Sequence, residues 1–275
     1  MIKGKVNYPY IIIDGNIHPT ETPLNPKPDG KVVYEVVRLI DGKPLFWDEH
    51  YHRLMESCSI AQLNFALPSA TLKKVLERLV ISNAISSINF KIEVFIADRQ
   101  LHYRLFLIPS QYPDTHLYST GVPLGFLYEE RTDPNAKIIN GPIRSKANQL
   151  IERGHYYEVL LVNSKGEITE GSRSNVFFIA GSKLITPPLH EVLPGVTRFH
   201  VIQIAQQLGL SVDEVAVKTS DISSFEAAFI TGTSPMLLPA RSLNSHAFNP
   251  QHPVCNILLE GYKQKVLENL NIFEY

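Results

Sequence analysis

The chain has 275 residues, 44% of them hydrophobic and 19% charged, an ordinary globular composition with room for one large core or two medium ones. Its formal net charge of −1 offers no broad basic field and argues against a nucleic-acid partner, while a small anionic ligand needs only a local cluster of donors. Its two cysteines, Cys58 and Cys255, lie far apart without C-x-x-C spacing, which speaks against a disulfide framework or a zinc knuckle and fits a reducing cytoplasm.

The first thirteen residues hold too short an apolar run for a signal peptide, and no stretch approaches the roughly 20 apolar residues of a membrane span. The opening segment reads as extended and then turn-rich, because Pro23, Pro26 and Pro28 exclude a helix. A β-branched run from Lys31 to Ile40 follows, and Asp41-Gly42 is a hairpin signal leading to Lys43–Trp47. Helical spacing marks 48–63, with Asp48 as N-cap, and 69–83, where Leu72, Val75, Leu76, Leu79 and Val80 recur on one face. Strands are predicted at 89–96 and 102–108.

The polar, proline-containing stretch 109–120 reads as a linker between an N-terminal domain over 1–114 and a larger one over 120–275. In the second part the pattern predicts a strand at 122–129, a loop at 135–141 and a helix at 143–153. Short strands are expected at 157–162, 175–180 and 183–185, then an amphipathic helix over 197–208 stopped by Gly209. Further strands are expected at 212–217, 227–231 and 236–240, and a closing helix at 256–269. The fold class is α+β: a small sheet-plus-helices domain followed by a larger β-rich one.

Three segments hold residues suited to chemistry. Glu170-Gly171-Ser172 puts a carboxylate at the edge of a buried strand, where it needs a charged or hydrogen-bonding partner. Leu193-Pro194-Gly195-Val196-Thr197 runs into a helix whose open N-terminus suits an anion, although the segment alone reads more readily as a surface turn with Thr197 as N-cap. Thr231-Gly232-Thr233-Ser234 follows a strand and is either an anion-binding turn or an ordinary polar one. Earlier in the chain, Arg53 of His50-Tyr51-His52-Arg53-Leu54 lies next to the apolar stripe of its helix, where a guanidinium suits an anion in a cleft. The two histidines at i, i+2 do not face one another, so no metal pair is expected.

Taken together, Glu-Gly-Ser-x-x-Asn-Val-Phe (170–177), Leu-Ile-Thr-Pro-Pro (184–188) and Leu-Pro-Gly-Val-Thr-Arg (193–198) resemble, in order and spacing, the signature of the class IV aminotransferases. That family includes branched-chain and D-amino-acid aminotransferases and aminodeoxychorismate lyase. Val33–Val37 with Glu49–Leu54 is similar to its N-terminal segment, and Thr231-Gly232-Thr233 to its late phosphate-binding turn. The resemblance implies pyridoxal 5'-phosphate as cofactor. Of the two lysines upstream of Glu170, Lys137 stands 33 residues before it and opens a Lys-x-x-Asn pattern with Asn140, whereas Lys146 stands 24 residues before it inside the predicted helix. The resemblance therefore implies Lys137 as the catalytic, cofactor-bearing lysine and Glu170 as the acid facing the ring nitrogen. It also implies Arg53, Ser172, Asn175, Val196, Thr197 and Thr233 as further cofactor contacts and Tyr34 as a substrate contact.

The implied activity is amino-group transfer between an amino acid and a 2-oxo acid by a homodimer. A pyruvate-eliminating lyase, or a binding protein that keeps the scaffold without catalysis, stand as alternatives. The chain departs from the family in the loop Pro23–Gly30, and it lacks the expected arginine just after strand 89–96. The nearest residues there are Ala97-Asp98-Arg99, and the role is not carried over to Arg99.

Overall fold

The computed structural model describes residues 8–20 and 26–275. The predicted turn-rich opening lies partly at 1–7 and 21–25, outside the described residues, and so do positions 23–25 of the departing loop at 23–30. Contacts group the chain into two units, one of residues 1–111, 136–139 and 266–275, the other of 112–135 and 140–265.

The first unit is built on a six-stranded sheet. Its strands are β1 (Tyr10–Ile13), β2 (Asn16–Pro19), β3 (Val32–Ile40), β4 (Lys43–Pro44), β5 (Ile88–Ala97) and β6 (Gln100–Ile108), in spatial order β2-β1-β6-β5-β3-β4. All its pairings are antiparallel. The Asp41-Gly42 hairpin forms as expected, pairing Leu39 with Pro44 and Ile40 with Lys43, with both turn residues at positive φ (51° and 76°). Along β3 burial alternates strictly, with Val33, Glu35, Val37 and Leu39 facing inward. A carboxylate thus lies in an otherwise apolar row.

Two helices pack on this sheet, α1 (Trp47–Ile60) and α2 (Ser69–Asn83). In α2, Leu72, Val75, Leu76 and Leu79 are buried at i, i+3, i+4 and i+7, each burial contributing about 1.5–3 kcal/mol. The start of α1 differs from the expectation that Asp48 caps it. Phe46, at φ 51°, occupies the N-cap with no side-chain cap bond, and Asp48 falls in the first turn. There its charge still complements the helix dipole, which is why the sequence signal is displaced rather than absent.

The second unit carries the larger sheet. Its elements are α3 (Leu117–Thr120), β7 (Val122–Leu127), α4 (Gly141–Gly154), β8 (Glu158–Val162), β9 (Glu167–Gly171), β10 (Asn175–Ala180), β11 (Lys183–Thr186), α5 (Val196–Gln207), β12 (Ser211–Glu214), β13 (Val217–Lys218), β14 (Ala227–Gly232), β15 (Met236–Leu243) and β16 (His246–Ala247). The last helix, α6 (Pro253–Ile272), begins in this unit and ends in the first.

The ten strands run β12-β11-β10-β14-β15-β7-β8-β9-β13, with β16 on β15. Phe177 and Phe229 stack at 5.0 Å across the β10–β14 register, and every residue of β8 is buried. The helix expected from 143 begins at Gly141, because the side chain of Asn140 accepts the Ile143 N–H at 3.3 Å and Pro142 suits the first turn. Asn140 of the Lys-x-x-Asn pattern is therefore this helix's N-cap. The stretch at 109–120 ends in the single turn α3, and the run 212–217 divides into β12 and β13. Among the described residues no helix is long and apolar enough to cross a membrane.

Candidate functional site

Among the described residues each unit holds a dense polar cluster that includes residues singled out from the sequence. In the first, residues 136–139 return to the start of β3. The Tyr34 N–H donates to the Lys137 carbonyl (2.9 Å), the Lys137 N–H donates to Ser57 Oγ (3.0 Å), and Ile139 N–H donates to the Val32 carbonyl (3.0 Å). Three bonds thus fix the backbone on either side of Lys137. Its Nζ stands 4.9 Å from the centre of the Tyr34 ring, and Lys91 Nζ stands 4.8 Å from the same ring. An aromatic face attracts an ammonium electrostatically, so Tyr34 serves as a platform for both.

Beneath this lies Glu35, fully buried. Arg53 grips it in a two-pronged pair, Nη2 to Oε1 at 2.6 Å and Nε to Oε2 at 2.9 Å, and His50 Nδ1 stands 3.1 Å from Oε1. The Val36 N–H adds a further donor at 2.9 Å. Burial pushes the carboxyl upward, but Arg53, His50 and Lys137 outweigh it and hold Glu35 well below the usual carboxylate range. For His50 burial dominates and lowers the imidazole's pKa in spite of Glu35, so the ring is neutral near pH 7.

Both shifts give stability the same sign of pH dependence. The Glu35 contribution is complete above about pH 4.3, the ordinary glutamate value, and is lost as pH falls through the folded value. The His50 contribution is complete above about pH 6.5 and declines below it, because the unfolded imidazole takes up its proton first. The melting temperature is therefore expected to fall on acidification from pH 7 to 5, and His50→Gln should flatten that part of the curve. Calorimetry across the interval checks this, and an unchanged slope in the variant would remove His50 from the account.

The second cluster gathers around residues 170–175. Glu170, at the end of β9, is 2% exposed. Its Oε2 accepts the Leu193 N–H at 3.1 Å, and Arg131 Nε stands 2.9 Å from its Oε1, an ion pair rather than an aligned hydrogen bond. Arg131 Nη2 also donates to the Ser172 carbonyl (3.0 Å). Asn175 Nδ2 donates to the Leu193 carbonyl (2.9 Å), so both polar groups of Leu193 are held by side chains of this cluster.

Gly195 follows as the N-cap of α5. A Cβ there would come within 2.0 Å of Asn175 Oδ1, so glycine is required by this close approach. The N–H groups of Val196 and Thr197 open α5, and the Thr197 hydroxyl meets Tyr262 Oη at 3.3 Å. Thr197 thus sits inside the helix and not at its cap. Across the β10–β14 register, Asn175 faces Thr231, which precedes Gly232 and Thr233. Loop 193–195 thereby gathers Glu170, Asn175, Val196 and the end of β14 into one region of this unit.

Glu158, Arg131 and Glu35 are polar residues here that sequence reasoning did not select. Glu158 is a buried carboxylate in β8 that accepts from Ser172 Oγ (2.7 Å), the Arg173 N–H (3.0 Å), Ser174 Oγ (3.3 Å) and its own neighbour Val159 N–H (2.8 Å). It braces the turn that follows Glu170, and it takes up the Ser172 hydroxyl. Glu35 and Glu158 both stand in apolar strand runs, and a lone acid in such a run is a signal that a partner is owed. No pattern in the sequence marks Arg131. Lys146, the other lysine considered, lies on α4 with 57% of its side chain exposed, paired with Glu129. Among the described residues no group of three or more acidic, histidine or cysteine side chains could hold a metal ion.

Residues 32–243 match the family model described as amino-transferase class IV. A curated relative from Thermotoga maritima, described as a probable branched-chain-amino-acid aminotransferase, is 31% identical over 86% of this chain and 86% of its own. D-alanine aminotransferase from Bacillus licheniformis is 26% identical over 82% of this chain and 83% of its own. Among solved structures, branched-chain aminotransferase from Thermoproteus uzoniensis with norvaline has a TM-score of 0.82 at 23% identity, covering 95% of this chain and 96% of its own. Branched-chain amino acid aminotransferase from Thermobaculum terrenum in its PLP form has a TM-score of 0.82 at 21% identity, covering 96% and 95%. At those identities the two structures show a shared fold.

Proposed function

The chain belongs to the class IV aminotransferase family, and from that premise we propose that it moves an amino group between an amino acid and a 2-oxo acid with pyridoxal phosphate as its cofactor. The observation that carries this reading is Lys137, whose backbone is fixed on both sides and whose amine is placed over the Tyr34 ring.

The donor set suits the group. Lys137 offers a half-buried primary amine, and Glu170 is a buried carboxylate already held by two donors. Thr231 Oγ1, 1% exposed and with no hydrogen-bond partner among the described residues, stands two residues before Thr233 in the turn assigned to the phosphate. When bound, pyridoxal phosphate supplies an electron-poor ring that takes up charge released at the substrate's α-carbon.

The chain's own residues divide the remaining work. Lys137 would hold the cofactor, and its amine would take the proton from the substrate's α-carbon and return it on the other side of the exchange. Glu170 would face the ring nitrogen. The N–H groups of Val196 and Thr197 and the Thr233 turn would receive the phosphate. Arg53 would be a further cofactor contact, and Ser172 and Asn175 shape the turn that follows Glu170. Tyr34 orients the lysine amine and borders the substrate. The reading extends to a cytoplasmic homodimer, for which sedimentation of the 31.0 kDa chain is the check.

The purified protein with an amino acid alone should release no free 2-oxo acid beyond one equivalent per site, and should turn over only when a second 2-oxo acid is added. Assaying branched-chain L-amino acids beside D-alanine, with 2-oxoglutarate as acceptor, tests this. Continuous pyruvate release from aminodeoxychorismate without an acceptor would replace the transaminase reading by a lyase, and silence in every arm, that one included, would leave a binding protein on the same scaffold.

A further inference from the structure

Glu170 has a more constrained environment than its assigned role requires. Its Oε1 is met by Arg131 Nε at 2.9 Å and its Oε2 by the Leu193 N–H at 3.1 Å. The same guanidinium reaches past the carboxylate to the Ser172 carbonyl at 3.0 Å, which ties it to the turn two residues beyond Glu170. Both side chains are screened from water, at 13% and 3% exposure. In such surroundings a charge pair is strong, and a carboxylate that loses its cation is free to turn or to take up a proton.

Arg131 also belongs to the stretch that runs into Lys137. Four residues on, Asn135 Nδ2 donates to the carbonyls of Leu189 and Val192, both at 2.8 Å. Val192 precedes the residue whose N–H holds Glu170. Segment 131–135 is thus anchored at one end to the Glu170 turn and at the other to loop 189–193.

We propose that Arg131 is a positioning residue for Glu170, fixing the carboxylate in the orientation and charge state that meet the cofactor's ring nitrogen. This rests on the reading that pyridoxal phosphate is the cofactor and that Glu170 faces its ring. Arg131 touches neither substrate nor reacting atoms in this account. Its effect on the cofactor passes mainly through the carboxylate, and that gives it a signature: it is largely lost when the carboxylate is gone.

A double-mutant cycle on cofactor affinity reads this directly. Wild type, Arg131→Met, Glu170→Gln and the double variant are stripped of cofactor and titrated with pyridoxal 5'-phosphate, following absorbance. Arg131→Met is expected to weaken binding at least about tenfold where Glu170 is intact, and by less than about threefold in the Glu170→Gln background. Arg131→Lys, which keeps the charge but not the fork, should recover part of the loss. The same factor in both backgrounds would overturn the proposal, because a merely structural residue weakens the protein irrespective of Glu170. Should Arg131→Met fail to fold, Arg131→Gln enters the same cycle. A wild-type protein that takes up no pyridoxal phosphate would remove the cofactor reading itself, an outcome distinct from an additive cycle in a protein that binds it.

Discussion

Lys137→Ala is expected to lower the rate of amino-group transfer by at least about a thousandfold, within the range of 10²–10⁴ that positioned acid–base groups supply. On the proposed assignment two functions are lost together, the covalent hold on the cofactor and the proton shuttle at the substrate's α-carbon. The scaffold should survive, because the contacts that fix this residue are made by its backbone: the N–H to Ser57 Oγ and the carbonyl from Tyr34 N–H. Removing the side chain leaves those bonds in place, so the melting temperature should change little while turnover collapses. Lys146→Ala is the matching control, since that side chain is more than half exposed and its pairing with Glu129 is at the surface. Steady-state rates for the two variants beside wild type decide the matter. Undiminished turnover in Lys137→Ala would move the role to another residue.

Glu170→Gln is expected to cost about a hundredfold in kcat, or roughly 2.7 kcal/mol of transition-state stabilisation. The substitution keeps size and most hydrogen-bonding capacity but removes the anion. A ring nitrogen opposite an amide is no longer favoured in its charged form, and the ring accepts charge from the α-carbon less well. The change also leaves Arg131 without its counter-charge. Breaking a buried pair in this way costs about 3–5 kcal/mol, and the lower end applies here because the Arg131 side chain is not fully buried. Loss of stability together with a fall in kcat, measured by calorimetry and by initial rates at saturating substrate, is the expected result. A variant with wild-type kcat would show that the carboxylate is structural.

Local chemistry made much of the fold readable in advance. The Asp41-Gly42 hairpin, the i, i+3, i+4, i+7 stripe of α2 and the short apolar strands each announce themselves within a dozen residues. What escaped were relations between distant segments. A capping acid such as Asp48 is equally at home in the first turn, so composition alone misplaces it by a position or two. The two parallel pairings of β7, to β15 and β8, and the return of 136–139 to β3, join residues far apart in sequence.

The candidate site follows the same rule. The family resemblance pointed to Lys137 and Glu170. The partners that decide their surroundings, Glu35 with Arg53 and His50, Arg131 on Glu170, and Glu158 under the Ser172–Ser174 turn, are assembled by tertiary structure. Acids in apolar strands announced that partners were owed and gave no hint of which. Arg53, read as a phosphate ligand alone, has one edge of its guanidinium engaged by Glu35.

The most direct measurement is reduction of the protein with borohydride in the presence of pyridoxal 5'-phosphate, followed by digestion and mass mapping of the modified peptide. A single pyridoxyl group on Lys137 is the predicted result. A label on Lys146 or another lysine, or a protein that carries none, would contradict the assignment of this cluster as the place where the chemistry occurs.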